Sequence, residues 1–218
     1  MEEDIYHIYN RGSDKRQIFM DEKDWGRFLE CLRELNNKNN ISLRDLHDKA
    51  KYKGSTSGSS PRLNLCEPPK QGEKLVEVLC YCLMPNHFHL ILRSLVENGI
   101  SIFMRKLGTG YTMYFNKRYQ RSGHLFQGRY KHKEINSEDG FAYLSSYIHL
   151  NPVMAGIVRN PLGYQYSSYA SFLGKKEDDF LTFDKDIFDM KPSDYERFVS
   201  ELRADKELLK KIEGINIE

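Results

Sequence analysis

Residues 74–95 read KLVEVLCYCLMPNHFHLILRSL, and this stretch decides the fold of the chain. Both halves are rich in bulky and β-branched apolar residues, and Pro85-Asn86 between them is a typical turn pair. The pattern predicts one strand over residues 74–84 and a second over residues 87–95. We expect the two to pair as a β-hairpin.

The second strand begins with His87-Phe88-His89. Residues two apart on a strand face the same side, about 6.6 Å from each other, so the two imidazoles should converge. Neutral imidazole nitrogens bind Mn²⁺, Co²⁺, Zn²⁺ or Fe²⁺, whereas Mg²⁺ prefers oxygen and would need further ligands from substrate and water. The pair therefore indicates a metal site, and two solvent-facing histidines on one sheet face are the alternative.

Further elements are expected on both sides of the hairpin. A first strand over residues 5–9 ends at a turn over residues 10–13, and Asp21 caps a helix over residues 22–37. Residues 38–73 form a Gly- and Ser-rich insertion whose composition predicts flexibility. After the hairpin we expect a helix over residues 100–115, a strand over residues 128–135, a helix that begins at Ser137 and runs through Tyr147, and a last helix over residues 194–212.

Tyr147 and Asn151 lie four residues apart, so on a helix they share one face. A phenol has a pKa of about 10 and needs a metal ion if it is to attack a phosphodiester at neutral pH. The amide oxygen of Asn151 could complete such a metal site. Pro152 disfavours helical geometry at Asn151, and a tyrosine buried in a core helix is the alternative reading of Tyr147.

Charge is distributed unevenly along the 218 residues, although the net charge is only +2. Residues 98–133 hold eight basic residues, no acidic residue and several interleaved aromatics, a composition suited to phosphate neutralisation and base stacking. A solvated basic helix with its aromatics in the core is the alternative.

Residues 175–218 carry nine basic and thirteen acidic residues, a net −4 that leaves +6 on residues 1–174. We expect a catalytic domain over residues 1–174 and an acidic extension over residues 175–218.

Four cysteines without a C-x-x-C spacing, no apolar leader and no long apolar segment favour a reduced, soluble cytoplasmic protein that does not span a membrane. A phosphate-binding Gly-rich loop with its Lys does not occur in the sequence.

Four separate motifs occur in a fixed order. They are Tyr9-Asn10-Arg11-Gly12 with Ile18-Phe19, then Met84-Pro85-Asn86-His87-Phe88-His89, then Gly128-Arg129-Tyr130, and then Tyr147-Ile148-His149-Leu150-Asn151-Pro152-Val153-Met154-Ala155-Gly156. Over about residues 4–173 the chain resembles the HUH single-tyrosine transposase family, and within it the REP-associated tyrosine transposase-like group.

The resemblance implies an α+β, ferredoxin-like (RRM-like) fold, an antiparallel sheet with packed helices. It implies that His87, His89 and Asn151 bind Mg²⁺ or Mn²⁺ and that Tyr147 is the nucleophile. The substrate would be single-stranded DNA that contains a hairpin, the intermediate a 5′-phosphotyrosine, and the active form either a monomer or a homodimer. The expected DNA contacts are Arg11, Arg105, Lys106, Lys117, Arg118, Arg121, Arg129 and Lys131.

Two other functions remain open at this point. A non-catalytic nucleic-acid-binding domain of the same shape would stack bases on sheet aromatics and show no metal dependence. A small-nucleotide phosphoesterase would not require Tyr147 or Asn151.

Overall fold

The structure is a computed structural model that describes residues 5–38, 73–205, 207 and 209. The predicted flexible insertion over residues 38–73 lies almost wholly outside the described residues. The end of the last predicted helix lies outside them as well.

A four-stranded sheet forms the centre of the fold. Its strands are β1 (Ile5–Arg11), β2 (Val76–Met84), β3 (His87–Ser94) and β4 (Lys131–Glu134), in the order β2-β3-β1-β4. All three neighbouring pairs are antiparallel. With helix α1 (Glu22–Glu34) between β1 and β2, and helix α2 (Gly99–Arg118) between β3 and β4, this is the ferredoxin-like arrangement, and the expected fold class is confirmed.

The predicted helix starts are confirmed by their capping side chains. The Asp21 carboxylate accepts hydrogen bonds from the backbone N–H groups of Lys23 and Asp24 at the start of α1. Ser137 Oγ accepts from the N–H of Gly140 at the start of helix α3 (Glu138–Met154). Each cap satisfies an N–H that has no partner inside the helix. Two further helices follow, α4 (Tyr169–Phe172) and α5 (Pro192–Ala204).

The sheet separates two cores because side chains alternate between its faces. On one face Ile8, Phe88 and Leu90 pack with α1 and α2 in the first core. On the other face Ile5 and Ile91 pack with α3 and α5 in the second core. The hairpin strands are therefore buried on both sides, which explains their nearly continuous apolar sequence.

Helix α3 passes through Pro152 and ends at Met154, so the expectation that Pro152 would take Asn151 out of helical geometry was wrong. The carbonyl oxygen of Asn151 accepts from the N–H of Ala155 at 2.9 Å, which continues the helical bonding. The Asn151 side chain also donates to the carbonyl of Tyr147 at 3.0 Å. These bonds hold the last turn in place although Pro152 has no N–H to donate.

The outer edge of β2 is covered, whereas β4 is an exposed edge. Ser167 forms a bridge to Cys82, and Leu181 forms a bridge to Val78. All four residues of β4 are exposed. This strand is shorter than the predicted range of 128–135. Among the described residues, helices are too short or too polar to cross a membrane.

Candidate metal centre and nucleophile

His87 and His89 stand at the start of β3, and their rings meet on one face of the sheet. The ring centroids are 5.0 Å apart and the planes are nearly perpendicular, at 87°. The predicted convergence of the two imidazoles is therefore confirmed. Neither side chain is the fully solvent-facing histidine of the alternative reading, since His87 is half-buried and His89 is only 3% exposed.

His87 is held by polar groups on both sides. Its Nδ1 lies 2.6 Å from Oδ1 of Asn86, whose own amide nitrogen donates to the carbonyl of Lys15 at 3.2 Å. Burial is the largest cause that lowers the pKa of His87, the nearby charge of Arg11 also lowers it, and a hydrogen bond with the Asn151 side chain raises it, with a net pKa of about 4. The net effect is a neutral imidazole at physiological pH, the form that binds metal ions.

His89 is enclosed more deeply. Its Nδ1 lies 2.9 Å from Nε2 of His7, which is on the neighbouring strand β1. Burial is the largest cause that lowers the pKa of His89 well below its usual range, and the neighbouring His7 and His87 lower it further. His89 is thus neutral as well, and its Nε2 is the ring nitrogen that His7 does not contact.

Helix α3 brings Asn151 to His87 and places Tyr147 one turn earlier. Nδ2 of Asn151 donates to the carbonyl of Tyr147, which leaves its Oδ1 as the side-chain atom beside His87 that is available to a cation. Tyr147 itself is 0% exposed and packs in the second core with Cys82 and Met84. Those two residues pair with His89 and His87 across the hairpin, so the phenol lies in the same buried layer as the histidines. A core tyrosine would be buried in the same way.

Two imidazoles and one amide oxygen fit a divalent cation that keeps open positions. Both imidazoles are neutral, and Nδ1 of each contacts another side chain. Within the described part of the chain, His, Cys, Asp and Glu form no group of three or more that could hold a metal ion by themselves. A site built from His87, His89 and Asn151 would therefore draw its remaining ligands from water and substrate oxygens, as Mg²⁺ and Mn²⁺ commonly do.

Two of the predicted DNA contacts lie beside this centre. Arg11 pairs with His87 across strands β1 and β3. Its Nε is buried and has no hydrogen-bond partner among the described residues. The ammonium group of Lys131, on β4, lies 6.0 Å from the centre of the Tyr9 ring. Arg11 is on β1, the neighbour of β3, and Lys131 is on β4, the neighbour of β1. Both cations therefore border the candidate site.

Two others line a groove of about 1040 Å³ between α2 and the segment that precedes β4. Arg105 and Arg129 contribute its cations, and Arg129 lies 5.7 Å from the ring centre of Tyr130. The groove also includes Asn10 and Phe88. Asn10 is next to Arg11 on β1, and Phe88 lies between His87 and His89 on β3, so their side chains are on the other face of the sheet. The groove therefore lies against the face opposite the candidate metal site.

The remaining four predicted contacts lie on α2 or just after it. Arg118 forms ion pairs with Asp21 and Asp24 at 2.5 and 2.6 Å. Arg121 donates to the side chain of Asn116 at 2.6 Å. Lys106 donates to the carbonyl of Asn37 at 2.5 Å, and Lys117 is exposed near the end of α2.

The sequence did not single out His7, Tyr9 or Asn86 as site residues. The rings of His7 and Tyr9 are stacked with centroids 4.8 Å apart, and both pack against His89. Their alternation with Ile8 on β1 could have indicated a shared face. No sequence pattern shows which residue of β3 they meet, because that depends on the register between the strands.

Two comparisons with known proteins find a similar family and a similar fold. A family described as "Transposase IS200 like" matches residues 49–151, a range that contains His87, His89 and Tyr147 and ends at Asn151. A solved structure of a REP-associated tyrosine transposase bound to a REP hairpin is similar in fold, with a TM-score of 0.53 and 13% sequence identity. The similarity covers 84% of this chain and 91% of that one. No protein with a curated description matches the chain.

The four motifs and the match of residues 49–151 make the chain similar to the IS200-like single-tyrosine transposases, and its fold is that of the REP-associated enzyme.

Proposed function

We propose that this protein cuts and rejoins single-stranded DNA through a covalent link between Tyr147 and a 5′ phosphate, with the help of Mg²⁺ or Mn²⁺. The observation that carries the proposal is the meeting of two neutral imidazoles with the amide oxygen of Asn151, one helical turn from Tyr147. A phenol, an open metal site and neighbouring cations are the groups that phosphodiester cleavage by tyrosine requires.

His87, His89 and Asn151 would hold the cation, which would neutralise the non-bridging phosphate oxygens. The Tyr147 hydroxyl oxygen attacks phosphorus, and the bond to the 3′ oxygen breaks. The phenol loses its proton as the new oxygen–phosphorus bond forms, and the departing 3′ oxygen gains a proton. One ester bond is exchanged for another, so attack by a 3′ hydroxyl on the phosphotyrosine reverses the step and rejoins DNA.

Because Tyr147 is fully buried, the phenol has to become accessible before it can reach a phosphate. We propose that DNA binding and exposure of Tyr147 are coupled. Arg11 stands beside His87 with a buried Nε that lacks a partner in the described residues, which suits it to receive a phosphate oxygen as the strand enters.

The DNA partner is proposed to contain a hairpin, as in the similar transposase that was solved with a REP hairpin. Arg11 and Lys131 would contact the strand near the site. The groove that contains Arg105 and Arg129 would contact another part of the same DNA.

The test uses labelled single strands with hairpins, Mn²⁺ and denaturing gels. Wild-type protein should give a cut strand and a protein-linked fragment. Tyr147→Phe should lose both and still bind DNA, because only the hydroxyl is removed. Tyr143→Phe is the matched control, since Tyr143 is one turn earlier on α3 and 39% exposed. A protein-linked fragment with Tyr147→Phe would reject the assignment.

The burial of Tyr147 also favours a second candidate, a non-catalytic nucleic-acid-binding domain. In that case Tyr147 is only a core residue, and DNA binding is independent of divalent metal. Wild-type protein would then bind the strands and cut none of them at any Mn²⁺ concentration.

A further inference from the structure

Next to the candidate metal centre lies a third buried histidine, His7, which the proposed chemistry does not use. It sits on β1, is 0% exposed and faces the same side of the sheet as His89. The two rings are nearly parallel, at 15°, with centroids 5.1 Å apart. Tyr9 stacks on both of them. The ring of His89 is therefore fixed by packing as well as by its contact with His7.

The contact joins Nε2 of His7 to Nδ1 of His89 at 2.9 Å. A hydrogen bond between two neutral imidazoles requires one nitrogen that carries a proton and one that does not. If His7 donates, then the proton of His89 is on Nε2, and that nitrogen cannot bind a cation. If His89 donates from Nδ1, its Nε2 keeps a free lone pair.

His87 is held in the corresponding way by a group that can only accept. Oδ1 of Asn86 lies 2.6 Å from Nδ1 of His87, so that nitrogen must carry the proton. The lone pair of His87 is then on Nε2. Both histidines can bind one ion through Nε2 only if His89, like His87, carries its proton on Nδ1.

We propose that His7 is a positioning residue that accepts the Nδ1 proton of His89 and thereby directs the Nε2 lone pair of His89 to the metal ion. This inference rests on the proposed metal site and deepens it. Partners of this kind fix the tautomer and orientation of a metal-binding histidine and increase its basicity. Their loss typically weakens metal affinity by about 10- to 100-fold.

The tautomer can be measured without any metal. In the metal-free protein, ¹⁵N shifts of the histidine rings should show His89 protonated on Nδ1 and unprotonated on Nε2. His89 protonated on Nε2 would overturn the proposal, whatever the activity of the enzyme.

Metal affinity gives an independent test, measured as free Mn²⁺ by electron paramagnetic resonance. His7→Phe keeps a ring that can stack on Tyr9 but has no acceptor, and it should raise the Kd about 10- to 100-fold. His7→Gln places an amide oxygen near the same position and should recover part of the affinity. His132→Phe, an exposed histidine on β4, is the matched control and should match wild type.

The two claims fail in different ways. An unchanged Mn²⁺ affinity in a folded His7→Phe variant overturns the role of His7 and leaves the proposed cleavage reaction intact. An unchanged affinity in both His87→Ala and His89→Ala shows that Mn²⁺ binds elsewhere, and it overturns the metal site together with this inference. Circular dichroism and thermal melting of each metal-free variant establish that it is folded.

Discussion

The hydroxyl of Tyr195 lies 2.7 Å from Nδ1 of His149, and this contact links helix α5 to helix α3. The same hydroxyl donates to Ser145 Oγ at 3.1 Å, and Nε2 of His149 lies 2.8 Å from Ser168 Oγ. Both His149 and Tyr195 are 0% exposed. The acidic C-terminal segment therefore packs directly against the helix that carries Tyr147, through a buried polar network.

Tyr195→Phe should destabilise the protein by about 1–3 kcal/mol, because it leaves Nδ1 of the buried His149 without the partner that Tyr195 provides. Tyr143→Phe on α3 should change stability by less than about 0.5 kcal/mol, since Tyr143 is 39% exposed. Urea denaturation followed by circular dichroism measures both. Equal stability of the two variants would show that the network contributes nothing.

Divalent metal should stabilise the folded protein through His89. A ligand that binds only the native state adds about 2.7 kcal/mol at 100 times its Kd, so Mn²⁺ should raise the melting temperature of wild-type protein. His89→Ala should remove this increase, and EDTA should return wild type to its metal-free value without unfolding it. An increase of the same size in His89→Ala would place the stabilising ion elsewhere.

Asp24 is the centre of a second buried network, in the core formed by α1 and α2. Its carboxylate is 0% exposed and accepts from the Met20 N–H and the hydroxyls of Tyr114 and Tyr119, and it pairs with Arg118. Asp24→Asn should lower the free energy of unfolding by about 2–4 kcal/mol, because it removes one of the two carboxylates paired with Arg118 and places an amide N–H₂ donor among groups that are themselves donors.

Asp14→Asn is the control for this change. The Asp14 side chain is 90% exposed, and its ion pair with Arg16 spans 3.6 Å, so the substitution should leave stability nearly unchanged. Thermal melts of the two variants are the measurement. A loss in Asp14→Asn as large as in Asp24→Asn would contradict the role given to burial.

Arg129 and Arg118 should behave differently, although the sequence predicted both as DNA contacts. Arg129→Gln should weaken binding of single-stranded DNA and reduce the slope of log K against log salt by about 1, as expected for a lost phosphate contact. Arg118→Gln should lower stability and leave the slope unchanged, because Arg118 is paired with Asp21 and Asp24. Titrations at several salt concentrations measure this. A slope that falls equally in both variants would show that Arg118 also reaches DNA.

The sequence alone predicted those features that depend on residues close to one another in the chain. Alternation in the hairpin placed His87 and His89 on one face, and Asp21 and Ser137 marked the starts of their helices. The contact between His7 and His89 was not predictable, because it depends on the register between β1 and β3. Composition alone also could not separate Arg118, which is neutralised by carboxylates from α1 and the residue before it, from Arg129, which lines an open groove.

Identification of the residue that carries DNA tests the central claim most directly. Wild-type protein is incubated with a hairpin-containing strand and Mn²⁺, the DNA is trimmed with nuclease, and tryptic peptides are mapped by mass spectrometry. We expect a nucleotide phosphate on the peptide that contains Tyr147, with fragmentation that assigns it to the phenol. A cut strand whose phosphate is attached to a different residue, or to none, would contradict it.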